Sequence, residues 1–204
     1  PTPRVRMSPD NNKMLLMAYQ SMPSIDYMSQ PLLRLAGIRI TPAFNSRQQT
    51  RFYNGLTVQD LQNDRKVVVD LPEGVRIGGA QWSPDEKKIA FFVFTDKGVE
   101  LWIADAESGN TERITGPELN LTVGPGFRWL KESRRLLAAL IPGNRGDVPE
   151  KTRVPSGPVI QETTGKVSQV RTYQDLLTSS YDEKLFDYYA TSQLVEIDIR
   201  NGDK

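Results

Sequence analysis

The stretch Ala80-Gln81-Trp82-Ser83-Pro84-Asp85-Glu86-Lys87-Lys88-Ile89-Ala90-Phe91-Phe92-Val93-Phe94 decides how the chain folds. It reads as a short strand, a tight polar turn and a second, strongly apolar strand. Pro84 brings a fixed φ that starts a turn, and Ser83 and Asp85 carry short side chains that cap one. The run Ile89 to Phe94 is continuously apolar, whereas a strand with one wet face should alternate. Burial on both faces is therefore expected. A buried helix gives the same pattern, but a run of six rich in aromatic residues and bounded by turns favours a strand.

The same arrangement recurs on either side. Residues 5–19 read Val-Arg-Met-Ser-Pro-Asp-Asn-Asn-Lys-Met-Leu-Leu-Met-Ala-Tyr, with Ser8-Pro9-Asp10 as the turn. Residues 127–141 read Phe-Arg-Trp-Leu-Lys-Glu-Ser-Arg-Arg-Leu-Leu-Ala-Ala-Leu-Ile, where Leu130-Lys131-Glu132 replaces the turn signature, so this third copy is degenerate. Its apolar run, Leu136 to Ile141, again predicts burial on both faces. Trp82 and Trp129 stand 47 positions apart, close to the period of about 40–50 residues of a propeller blade. Met7 and Trp82 are 75 apart, so the first unit carries a long insertion, assigned to residues 20–75.

The second unit is the most complete. After Phe94, Asp96-Lys97-Gly98 turns into Val99 to Ala104, and Ser108-Gly109-Asn110 turns into Thr111 to Thr115, giving a four-stranded meander. Central strands of stacked blades are covered on both sides. The fold expected is all-β, a partial β-propeller of about two to three four-stranded blades with a short helical insertion. Blade one is assigned to 1–75, blade two to 76–117, and blade three to 118–204 with a loop and helical insertion at 142–192. In that insertion Thr172 with Asp175, and Ser180 with Glu183, fit capping-box spacing. Leu185, Phe186 and Tyr189 share a helical face. Leu194 to Ile199 resumes a strand, and Asn201-Gly202-Asp203 reads as a hairpin turn, so the chain is expected to stop inside its third blade.

Composition narrows the chemistry. Among 204 residues, 26 Lys and Arg face 25 Asp and Glu, a net charge of +1. A nucleic-acid binder would carry a basic stripe, and no stretch approaches the roughly 18 apolar residues that span a bilayer. There is no Cys and no His. Disulfides, thiolate or His-ligated metal sites, a Ser-His-Asp triad and a Cys-His pair therefore cannot be built from this chain. The start Pro1-Thr2-Pro3, without Met, reads as a piece of something longer.

Four sets of residues could carry function. Asp10 and Asp85 could be a metal or acid pair, but they occupy equivalent turns, where capping accounts for them. Trp82, Trp102 and Trp129 could form a stacking platform, but inter-blade packing fits their positions better. Arg4, Arg6, Arg34, Arg39, Arg47 and Arg51 give the N-terminal third a basic lean, which a solvated surface explains as well as a substrate role. Tyr181, Phe186, Tyr188 and Tyr189 could line a cavity or meet another domain, though helix packing onto the propeller is the favoured reading. No catalytic, cofactor-binding or metal-binding residue is assigned, no cofactor is called for, and substrate-binding residues stay unknown.

Tandem Ser-Pro-Asp turns inside four-stranded repeats resemble the N-terminal propeller of the prolyl oligopeptidase family of serine peptidases, and also the TolB-type propeller. Two stretches look like the glutamyl endopeptidase branch: Pro31-Leu32-Leu33-Arg34-Leu35-Ala36-Gly37-Ile38-Arg39-Ile40, and Pro155-Ser156-Gly157-Pro158 with Arg171 to Leu177 and Tyr181 to Tyr189. The resemblance implies a propeller capping a C-terminal α/β-hydrolase domain of the same full-length protein, one that supplies Ser, Asp and His. This chain has no Gly-x-Ser-x-Gly elbow; Glu107-Ser108-Gly109 lacks the first Gly. The resemblance therefore implies a non-catalytic cap over peptide substrates, admitting oligopeptides and excluding folded proteins. A family that cleaves after Glu also needs a cation for the substrate carboxylate. A stand-alone TolB-like propeller for protein–protein binding is the alternative, and a propeller acting through its own acidic residues is a third. Family context implies a bacterial periplasm, with plastid stroma as the alternative. No nucleic-acid partner and no membrane insertion are expected. Three blades cannot close a ring, so self-association of the isolated chain through exposed strand edges is expected; light scattering showing a monomer at high concentration would contradict it.

Overall fold

A computed structural model of the protein describes residues 2–19, 22–151 and 174–200. Val154 to Pro158, Arg171 to Tyr173 and Asn201 to Asp203 lie outside the described residues. The elements in sequence order are β1 (Arg4–Met7), β2 (Lys13–Tyr19), α1 (Ile25–Met28), β3 (Leu33–Leu35), β4 (Ile38–Thr41), β5 (Ser46–Arg47), β6 (Tyr53–Asp60), β7 (Lys66–Val68), β8 (Arg76–Trp82), β9 (Lys88–Thr95), β10 (Gly98–Asp105), β11 (Thr111–Arg113), β12 (Phe127–Trp129), β13 (Arg135–Leu140), α2 (Ser180–Ala190) and β14 (Gln193–Asp198). A short 3-10 turn, Pro42–Phe44, joins β4 to β5.

Among the described residues every pair of named strands is antiparallel. The first meander is β1-β2-β6-β7 and the second is β8-β9-β10-β11. A single residue pair, Tyr53 with Ile77, stitches β6 to β8 and makes the two meanders one continuous sheet. The third unit is β12-β13-β14. The repeat is thus the four-stranded blade, as the Ser-Pro-Asp spacing predicts. The extent of the first insertion departs from the sequence reading. It does not run over 20–75, because β6 and β7 complete the blade from Tyr53 onward, leaving 20–52 as the insertion. The alternation that buries Leu56 and Val58 on β6 carries no Ser-Pro-Asp signature to mark it.

The three turns share one backbone geometry. Ser8 N–H donates to Lys13 O at 2.9 Å, Ser83 N–H to Lys88 O at 2.8 Å and Leu130 N–H to Arg135 O at 2.9 Å. The fourth residue of each turn is left-handed, with φ of 62° at Asn11, 61° at Glu86 and 58° at Ser133. The third copy, degenerate in sequence, keeps the shape of the other two.

Strand β9 explains why its run is continuous. Ala90, Phe92 and Phe94 face one core with Leu101, Phe127 and Leu136, while Ile89, Phe91 and Val93 face another with Leu15, Leu56 and Ile77. Each face of the strand is buried against a different neighbouring unit. Strand β13 differs from the expectation. Leu136, Ala138 and Leu140 are buried but Leu137 is 37% exposed, because among the described residues no unit covers that outer face. The apolar residues of the inner strand β1, Val5 and Met7, are also exposed.

Candidate functional site

Topology sends every functional feature to one end. The Ser-Pro-Asp-type turns close the first hairpin of each unit at one end, so the connections from second to third strand all leave at the other. Both long insertions, 20–52 and the segment between β13 and β14, are such connections. They meet there. Leu35 and Ile40 of the β3–β4 hairpin bury with Leu185 and Tyr189 of α2, with Tyr181, Phe186 and Tyr188 packed against them. The aromatic cluster therefore covers the other insertion rather than the propeller strands, which corrects the sequence reading. Helix α2 starts one residue earlier than expected. Ser179, not Ser180, is its cap, and its hydroxyl accepts from Asp182 N–H at 3.2 Å. Residues 174–179 are not helical, so the Asp175 capping box yields no helix among the described residues; Asp175 instead pairs with Arg39 at 3.9 Å.

Asn45 locks the insertions to the blades. It is buried, and its amide donates to Thr122 Oγ1 and to Tyr189 O, each at 3.2 Å. Asn120 reaches the same Tyr189 carbonyl at 2.9 Å. Arg145 donates to Asn45 Oδ1 and lies over the Tyr188 ring at 4.1 Å. Buried polar groups of this kind are costly unless paired, so this end is held in one arrangement.

The two larger of the hollows beside Tyr53 differ in their lining. One, of about 490 Å³, is lined by Arg4, Gln48, Gln49, Arg51, Tyr53 and Gly79. A bulge in β8 between Gly78 and Gln81 shapes it. Gly79 sits there at φ +61° with the Phe92 ring where a Cβ would be, 2.2 Å away, so only glycine fits. Arg51 stacks over Tyr19 at 4.6 Å. The other hollow, of about 370 Å³, lies between the first insertion and β8, among Met22, Ser24, Tyr27, Phe52, Tyr53 and Arg76. Tyr27 is buried, meets Phe52 edge-on at 4.8 Å, and accepts Gln49 N–H on its hydroxyl at 2.9 Å. The Arg76 guanidinium lies 5.3 Å from the Phe44 ring and 5.6 Å from Phe52.

The sequence candidates divide accordingly. Asp10 and Asp85 cap their turns. Ser8 Oγ donates to Asp10 at 2.6 Å and Ser83 Oγ to Asp85 at 2.7 Å. The Ser8 hydroxyl, then Asn12 N–H, hold the Asp10 carboxyl well below the usual carboxylate range. Burial opposes ionisation of Asp85, but the Ser83 hydroxyl and Lys87 N–H outweigh it and lower its pKa too. Trp82 and Trp129 do join units. Trp82 Nε1 donates to Arg6 O at 3.3 Å and Trp129 Nε1 to Gln81 O at 3.4 Å. Trp102 instead donates to Glu100 of its own strand at 2.8 Å. Of the arginines, Arg6 bonds Ala80 O at 2.6 Å and Arg47 bonds Thr122 O at 3.0 Å. Arg34 is exposed opposite Arg39 on the β3–β4 hairpin. Arg4 and Arg51 share one hollow, Arg4 and Arg6 a second, and Arg39 and Arg47 a third. Arg76 was not among the sequence candidates; a single Arg opening the strand Arg-Ile-Gly-Gly-Ala-Gln-Trp gave no sign that aromatic rings from a distant insertion would surround it.

Antiparallel meanders joined by inter-blade tryptophans define a partial β-propeller. No family model matches the chain. The chain is 41% identical over 96% of its length to "Probable glutamyl endopeptidase, chloroplastic" of Oryza sativa subsp. japonica, and 37% identical over the same share to the protein of that name in Arabidopsis thaliana. It spans 22% of the length of these curated relatives. A solved structure, the Pyrococcus horikoshii acylaminoacyl peptidase, is similar over 99% of this chain and 24% of its own, at 14% identity and a TM-score of 0.48. Over nearly its whole length the chain is thus similar to a segment of proteins named glutamyl endopeptidase.

Proposed function

We propose that this chain is the non-catalytic propeller cap of a serine peptidase that hydrolyses peptide bonds in oligopeptides, limiting access to a hydrolase domain of the same full-length protein and helping to bind the substrate. The observation that carries the reading is the sequence relationship to proteins named glutamyl endopeptidase in a chain that has no histidine to serve as the general base of a triad. The rigid insertion assembly on one end of the blades supports it, since a cap needs a fixed surface toward the domain it covers. In this reading selection is steric. A peptide threads past the blades, whereas a folded domain does not.

The test compares one cleavable sequence in two settings, given to the full-length gene product. As a free peptide it is hydrolysed; embedded in a stably folded domain it is spared by at least a hundredfold in kcat/KM. Equal rates on both would overturn the cap.

A further inference from the structure

The hollow of about 490 Å³ beside Tyr53 gathers positive charge with no acid to balance it. Arg4 and Arg51 both line it, and the rest of its wall is uncharged, with Gln48, Gln49 and Tyr53 among its polar groups. Among the described residues neither guanidinium makes an ion pair or a hydrogen bond. Each offers five N–H donors.

The fold brings the two arginines together. Arg4 stands opposite Met17 of β2, and Met17 and Tyr19 share a face because side chains two apart on a strand point the same way. Arg4 and Tyr19 are therefore diagonal neighbours on that face, within reach of a long side chain. Arg51 lies over the Tyr19 ring at 4.6 Å, a cation–π contact that orients it. Tyr53 in turn meets Tyr19 edge-on at 6.2 Å. Like charges on one hollow repel, and an anion that balances both removes that cost.

Charge and size narrow the ligand. A carboxylate balances one of the two cations, whereas a dianion balances both. Guanidinium groups suit phosphate oxygens through paired N–H···O bonds, and the Gln48 and Gln49 amides and the Tyr53 hydroxyl add neutral donors. The volume exceeds a bare phosphate and leaves room for the group that carries it. We propose that this hollow binds a phosphate dianion, with Arg4 and Arg51 on its oxygens. The phosphate is either the free inorganic ion or the head of a phosphomonoester, which share that chemistry.

The test is NMR titration of the full-length gene product with inorganic phosphate and N-acetyl-phosphoseryl amide, and with N-acetyl-glutamyl amide as the single-charge control. The expected result is binding of a phosphate probe about tenfold tighter than the glutamyl control. Arg4→Gln and Arg51→Gln, at exposed positions, each weaken it about tenfold. Arg51→Lys, which keeps the charge and loses the planar fork, falls between wild type and Arg51→Gln. Arg34→Gln, on the exposed β3–β4 hairpin, leaves binding unchanged. Binding also weakens as pH falls from about 7 to about 5, because the phosphate takes up a proton and the chain has no histidine to gain charge over that range. Tighter binding of inorganic phosphate identifies the free ion as the ligand, and tighter binding of the phosphoseryl probe identifies a phosphomonoester. Absence of binding by both phosphate probes overturns the proposal. So does glutamyl binding as tight as that of phosphate, or phosphate binding that survives both Gln variants. A full-length product without peptidase activity would leave the site standing, since nothing in it draws on the cap reading.

Discussion

At the residue scale, the fourth position of the second and third turns binds the preceding unit. Glu86 accepts Asp10 N–H on its carboxylate, and Ser133 Oγ accepts Asp85 N–H at 2.9 Å. Glu86 and Ser133 thus each shape their own turn and satisfy a donor of the turn before. Ser133→Ala keeps the turn but removes the acceptor of a half-buried hydrogen bond, a loss of about 1 kcal/mol measurable by denaturant unfolding. The capping carboxylates make a second prediction. Asp10 and Asp85 are both depressed in the folded state. Their stabilisation is therefore complete above the ordinary aspartate value of 3.8 and is lost as pH falls through their lower folded values. Thermal melts should hold steady down to roughly pH 5 and drop steeply below pH 4, and Asp85→Asn should make that drop shallower. An unchanged slope in the variant would refute the assignment. The first two turns are legible because Ser-Pro-Asp announces them. The third reads as degenerate because its geometry survives in backbone hydrogen bonds and one positive φ, neither of which has a side-chain signature at Leu130-Lys131-Glu132.

At the scale of elements, the strands are readable in sequence and their covering is not. The continuous run reports β9 correctly because two units cover it. The equally apolar β13 has one face wet, since burial depends on a neighbour and not on the strand's own composition. Helix α2 is legible from its apolar face, with its cap one residue off, yet its partner is not, because the contacting residues Leu35 and Ile40 lie about 150 positions away in another connection. Topology joins them: both insertions leave from the same edge of their blades. Leu185 is 4% exposed in that contact. Leu185→Ala should cost about 2–4 kcal/mol of the local stability, read as faster amide exchange in α2 and the β3–β4 hairpin together, with β9 and β10 unaffected. Loosening of α2 alone would show that the insertions are independent. Arg76 escapes sequence reasoning on the same ground, since its aromatic surroundings come from Phe44 and Phe52 of the first insertion.

At the scale of the molecule, three units share two inter-blade cores, and the connections gather at one end beside several arginine-lined hollows. The missing histidine fits that picture. On the proposed cap reading, the chemistry of a triad would belong to another part of the full-length protein. The most direct test labels the full-length gene product and this chain side by side with a fluorophosphonate, which marks an activated serine, and maps the modified residue by mass spectrometry. The account predicts labelling of the full-length product at one serine outside residues 1–204, with peptide hydrolysis lost in step, and no labelling of this chain alone. A labelled serine within 1–204, or a full-length product with no reactive serine, would contradict it.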